Sequence, residues 1–136
     1  MKKEKRYIGI VGSRRRVMMA DRKAVWMAFI HLQNKLKKKG FKVVIVSGGC
    51  HAGADAFAEE IAEKLKVPII IHKPDRSKMK NNTRWEFTKI CYARNKLIAI
   101  NSHYLIACPA VDRTGGTENT IEYFLQRKKE KKLILV

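Results

Sequence analysis

The sequence predicts an α/β protein built on a parallel sheet with helices on both faces. Three observations carry that expectation. Short apolar runs with strand character alternate along the chain with longer segments whose apolar residues recur every three or four positions. The helical segments are long enough to serve as crossovers between parallel strands, which need about a dozen residues. Glycine-bearing loops follow three of the strands, on what would be one edge of the sheet.

The first strand is Tyr7–Val11, an apolar run closed by Gly12-Ser13. Asp21 is the expected N-cap of a helix over Arg22–Lys39, with Val25, Phe29, Leu32 and Leu36 forming one apolar stripe and Gly40 supplying the stop. Phe41–Val46 is the second strand, ending in Ser47-Gly48-Gly49. A helix over Gly53–Leu65 follows, with Phe57, Ile61 and Leu65 on one face, and Val67–Ile71 is the third strand. His72 to Asn81 is polar, basic and irregular. Asn82 or Thr83 caps the next helix, which runs to Ile100. Tyr104–Cys108 is the fourth strand, ended by Pro109, and Ala110–Thr114 is a loop. A helix over Gly116–Arg127 and a strand over Lys132–Val136 complete the chain. Strand–helix alternation with right-handed crossovers gives a Rossmann-like three-layer α/β/α sandwich, a five-stranded parallel sheet in the order 3-2-1-4-5. The whole of residues 1–136 reads as a single domain.

Composition narrows the class. With 46% hydrophobic residues the chain is expected to fold, and no apolar run approaches the roughly 18 residues of a membrane span. The charged amino terminus leads into a strand and not a signal sequence, so a cytoplasmic protein without a membrane partner is expected. Cys50, Cys91 and Cys108 form neither a disulfide framework nor a C-x-x-C pair, so reduced, mostly buried thiols and no metal site or cofactor are expected. Thirty Lys and Arg against twelve Asp and Glu give a net charge of +18, a field that attracts polyanions. A lysine-rich solvated surface explains the same number, since the lysines gather at Lys2–Lys5, Lys35–Lys39, Lys78–Lys80 and Lys128–Lys132. Trp26 and Trp85 read as packing residues, and Met18, Met19 and Met27 as gap fillers.

The chemistry concentrates in the loops. Val11-Gly12-Ser13-Arg14-Arg15-Arg16 offers close backbone approach, a hydroxyl and forked phosphate donors, or merely a turn with solvated arginines. Ser47-Gly48-Gly49-Cys50-His51-Ala52-Gly53-Ala54-Asp55 follows a strand and opens a helix, a context in which amides and the helix dipole cradle an anion. It is neither a Walker A loop nor a dinucleotide G-x-G-x-x-G. Asp55 serves either the helix dipole or a ribose hydroxyl, and His51 is either a ligand contact or an ordinary loop side chain. Gly115-Gly116-Thr117-Glu118-Asn119-Thr120-Ile121-Glu122 likewise opens a helix. Arg94-Asn95-Lys96 places a basic group on the helix before the fourth strand.

Together these four segments resemble the SLOG superfamily of Rossmann-like proteins, over Ile10 to about Phe124. The superfamily includes the DNA-processing protein A domain and the LONELY GUY phosphoribohydrolases. Ser47-Gly48-Gly49 through Asp55 is similar to the S-G-G-x-x-G-A-D signature of bacterial members. Arg94 matches the arginine of the phosphoribohydrolase R-K pair, Pro109 the family proline, and Glu122 the glutamate of P-G-G-x-G-T-x-x-E. The resemblance implies a phosphate site made by Gly12, Ser13, Arg14, Ser47, Gly48, Gly49, Gly53, Asp55, Arg94, Gly115, Gly116 and Thr117. It implies catalytic roles for Arg94 and Glu122 if the protein cleaves N-glycosidic bonds. It also implies a homo-oligomer, as a dimer. Three departures stand out: Asn95 replaces the lysine, Glu118-Asn119 replaces Gly-Thr, and His103 replaces a common aspartate. They weigh toward a sensor or carrier that binds a nucleotide or nucleotide-derived phosphate. A nucleoside 5′-monophosphate phosphoribohydrolase and a single-stranded nucleic-acid-binding module of the DNA-processing type are the alternatives.

Overall fold

The structure is a computed structural model that describes residues 3–127 and 132–136. Its elements are β1 (Lys5–Gly12), α1 (Met19–Lys38), β2 (Lys42–Ser47), α2 (Ala54–Leu65), β3 (Ile69–Ile71), α3 (Arg84–Ile100), β4 (Tyr104–Cys108), α4 (Gly116–Leu125) and β5 (Leu133–Leu135). One 3-10 turn, Arg76–Lys78, lies in the segment read as irregular. The strands are all parallel and lie in the order β3-β2-β1-β4-β5, the expected topology.

The two-residue period of the strands sorts the core into two layers. Ile8 and Ile10 of β1, Val43 and Ile45 of β2, and Ile106 and Cys108 of β4 pack under Val25, Phe29 and Leu36 of α1 and Ala58 and Ile61 of α2. The alternate residues Val11, Val46, Leu105 and Ala107 pack under Ile98 of α3 and Ile121 and Phe124 of α4. Phe29 and Phe124 are fully buried, one in each layer. Each such side chain contributes about 1.5–3 kcal/mol by leaving water. The chain leaves β1 for β2 on one side and pairs β1 with β4 on the other. The carboxyl ends of β1 and β4 therefore flank the switch point, where parallel sheets open a crevice.

Several local expectations are corrected. Helix α1 starts at Met19, so Asp21 is not its N-cap but its third residue, reaching back to accept the Met18 N–H at 3.1 Å and an Arg16 Nε–H at 2.9 Å. An acid there still sits in the positive end of the helix dipole. Thr83, and not Asn82, caps α3: its hydroxyl accepts the Glu86 N–H at 3.1 Å while Glu86 accepts the Thr83 N–H at 3.2 Å, a reciprocal capping box. Met18, Met19 and Met27 do not fill core gaps; all three are exposed to solvent, Met19 at 81%. Trp85 is not a packing residue either, at 70% exposure. Trp26 is half-buried and donates its indole N–H to Glu60 of α2 at 2.9 Å. Of the cysteines only Cys108 is buried; Cys50 and Cys91 are partly exposed. Among the basic clusters, Lys2 and residues 128–131 lie outside the described residues. No helix among the described residues is long and apolar enough to cross a membrane.

Candidate functional site

Three loops meet at the crevice. β1 ends where Gly12 lies against α2: a Cβ at Gly12 would stand 2.6 Å from the Ala54 Cβ. Ser13 then donates its N–H to the Cys108 carbonyl at 2.9 Å, tying this loop to the end of β4. The Ser13 hydroxyl accepts the Arg15 N–H at 3.1 Å and so shapes the turn. Gly53 has φ +73, and a side chain there would drive into the Ser13 carbonyl oxygen at 2.5 Å. Only glycine lets α2 begin this close to the first loop.

The loop after β2 is held from the opposite layer. Arg94 of α3 donates to the Gly48 carbonyl at 2.6 Å and through Nε to Asn95 Oδ1 at 2.9 Å. Asp55, in the first turn of α2, is 7% exposed and accepts the Cys50 N–H at 3.1 Å. Burial pushes its carboxyl up to about 6, against the opposing pull of the Cys50 N–H and the Arg94 charge. Ser47 is fully buried, and its hydroxyl has no hydrogen-bond partner among the described residues.

The loop after β4 is tied to the loop after β1. Arg15 grips Asp112 with both terminal nitrogens, at 3.0 and 3.1 Å, and the Thr114 hydroxyl at 2.7 Å. The Arg15 hydrogen bonds, followed by those from Thr114, hold the Asp112 carboxyl down to about 2. Gly115, with φ +108, then caps α4. Buried Asn95 donates to the Gly116 carbonyl at 3.3 Å and to Asn119 Oδ1 at 3.1 Å, locking the start of α4 to α3.

These loops enclose a cavity of about 360 Å³, within the range of small-ligand sites. Of the residues singled out in the sequence, Gly12, Ser13, Arg14, Asp55, Arg94, Gly115, Gly116 and Thr117 line it. Ser47, Gly48, Gly49 and Gly53 shape the loops without reaching the cavity wall, and His51 is likewise outside it. Glu122 is exposed and does not line it. The helical period explains why: Thr117 and Thr120 share the inward face, and Glu122 lies about 200° around the helix from Thr120. Cys91, Asn95 and Ile98 also line the cavity, at the helical spacing that carries α3 along it. That spacing, applied to Arg94 as an anchor, was the available signal for Cys91 and Ile98, at i−3 and i+4. The cavity wall holds three guanidinium groups, Arg14, Arg15 and Arg94, against one carboxylate, Asp55. Arg14 is exposed and has no hydrogen-bond or ion-pair partner among the described residues.

A parallel sheet in this order, with glycine loops and two helix starts around a cationic crevice at its carboxyl edge, defines a Rossmann-like α/β protein. The sequence profile of the YspA, cpYpsA-related SLOG family matches residues 10–79, just over half of the chain, and the chain belongs to that family. No curated protein matches it.

Proposed function

We propose that the cavity binds a nucleotide or nucleotide-derived ligand by its phosphate, and that the protein acts as a sensor or carrier. The observation that carries this reading is the wall of the cavity: Arg14, without a partner among the described residues, the start of α4 at Gly115-Gly116-Thr117, and the hydroxyl of Thr117. First-turn amides lack intrahelical acceptors and sit at the positive end of the helix dipole, so an anion there gains both hydrogen bonds and charge. Arg14 adds a forked donor that needs no partner displaced. Asp55 is the cavity's carboxylate acceptor, suited to a ribose hydroxyl. Family membership supports the same ligand class.

Hydrolysis is supported less. Cleavage of an N-glycosidic bond needs a carboxylate beside the sugar. Glu122, to which the resemblance gives that role, lies outside the cavity, and Asp55, which lines it, serves there as an acceptor for the Cys50 N–H and a ribose hydroxyl. The test is calorimetric titration with nucleoside monophosphates, with mass spectrometry of the recovered small molecules. Saturable binding with the nucleotide recovered intact is the expected result. Release of free base and ribose 5-phosphate overturns the carrier reading in favour of the hydrolase. Neither binding nor turnover overturns both.

A further inference from the structure

The cavity leaves two features of the molecule without a use: the +18 charge and a tryptophan at 70% exposure. They meet on α3. Its inward residues Ile90, Asn95, Ile98 and Ala99 are buried. Its outward stripe, Trp85, Lys89, Tyr92 and Lys96, falls at i, i+4, i+7 and i+11, about 16 Å along one face. Lys89 Nζ stands 5.3 Å from the Trp85 ring centroid. Tyr92 is 44% exposed and also forms part of the cavity wall.

The charge on this part of the chain is mostly positive. Residues 76–100 hold seven Lys and Arg and a single acid, Glu86. Both Glu86 oxygens are taken by the N–H groups of Lys80, Asn81 and Thr83 at the start of α3. The outward face of α3 therefore presents flat aromatic surface between cations with no free carboxylate. A second copy of such a face would set like charges against each other. A polyanion complements it. Exposed ring faces gain from stacking only where bases are themselves unstacked, which selects single strands over duplex.

We infer that the outward face of α3 is a platform for single-stranded nucleic acid. Trp85 and Tyr92 stack on bases, and Arg84, Lys89 and Lys96 meet the phosphates. The platform does not require an occupied cavity, although Tyr92 joins the two surfaces.

The test uses the full chain with Trp26→Phe, which leaves Trp85 as the sole tryptophan, since the sequence has two. A short oligodeoxythymidylate should quench its fluorescence saturably. In the wild-type background Trp85→Ala should weaken binding roughly ten- to a hundredfold, the range of one base stack. Because the side chain is exposed, that variant should fold normally, which its circular dichroism verifies. Lys89→Ala and Lys96→Ala should each reduce the slope of log affinity against log salt by about 0.7. Unchanged affinity in Trp85→Ala, or saturating oligonucleotide without a change in Trp85 emission, overturns the proposal. So does sedimentation in which Trp85→Ala converts an oligomer to a monomer while oligonucleotide affinity stays the same, because the face then serves self-association. Loss of mononucleotide binding alone, with quenching retained, removes the cavity reading and leaves the platform standing.

Discussion

Arg94 Nη1 lies 2.6 Å from the carbonyl oxygen of Gly48, so a helix on one face of the sheet holds the loop that starts a helix on the other. Glycine leaves room for this contact: a Cβ at position 48 would stand 2.5 Å from that same Nη1 and 3.1 Å from Asp55 Oδ2. Gly48→Ala should therefore push Arg94 off its carbonyl acceptor and destabilise the fold by about 1–3 kcal/mol. Arg94→Ala should also destabilise, because it strips the Gly48 carbonyl of its donor. The two changes act on the same hydrogen bond, so the double variant should lose less than the sum of the singles. Urea unfolding of the four proteins measures this cycle, and strict additivity contradicts the clash.

Asp55 gives stability a pH dependence of unusual sign for an acid. Its carboxyl is raised from 3.8 to about 6 in the folded state. The folded protein thus binds the proton more tightly than the unfolded chain does. This contribution is fully present below pH 3.8 and is lost as pH rises through 6. A shift of that size corresponds to about 3 kcal/mol at neutral pH. Asp55→Asn keeps an oxygen for the Cys50 N–H but has no proton to lose. It should be more stable than wild type at about pH 7.5, with the difference shrinking toward about pH 4. Thermal unfolding at several pH values checks this, and parallel curves for the two proteins contradict it.

Asp112 and Arg15 form a clasp between the loop after β1 and the loop after β4. The Thr114 N–H also donates to Asp112 Oδ1 at 3.1 Å. Both partners are exposed, so the clasp should contribute little to global stability. Its effect should be local: Asp112→Ala is expected to leave the melting temperature nearly unchanged and to speed amide exchange at Thr114. Hydrogen-exchange mass spectrometry over residues 109–118 reads this directly. Unaltered exchange there means that other interactions hold the loop.

The architecture was legible because strand and helix periods do not overlap. Five apolar runs, four of them bounded by glycine, proline or serine, left little freedom in the order of elements, and the right-handed crossover rule fixed the sheet. What was not legible depends on where a helix face points after packing. Trp85 and the α1 methionines look like core residues by type alone, yet the stripes that pack are Val25, Phe29, Leu32 and Leu36 on α1 and Ile90, Asn95 and Ile98 on α3. Asn95 stood out in the sequence only as a missing lysine. Its place in the structure, joining Arg94 to the Gly116 carbonyl, depends on a pairing of α3 with α4 that no local pattern encodes. Glu122 matched a motif by counting, but the helix begins at Gly116, and this start turns Thr120 inward and Glu122 outward.

That rotation separates binding from motif matching in a single experiment. Arg14→Ala removes an exposed guanidinium of the cavity wall, and Thr117→Val removes a hydroxyl with little change in shape. Each should weaken nucleoside monophosphate binding about tenfold, the scale of a single charged or polar hydrogen bond, about 1.4 kcal/mol. Both should leave the unfolding midpoint close to wild type, since Arg14 is exposed and Thr117 keeps its volume. Glu122→Ala should leave affinity within about twofold, because its side chain faces solvent. Calorimetry on the three variants reads all of this at once. Should Glu122→Ala instead abolish binding or turnover while Arg14→Ala and Thr117→Val do nothing, the ligand sits outside the cavity and the phosphate site drawn from Gly115, Gly116 and Thr117 is wrong.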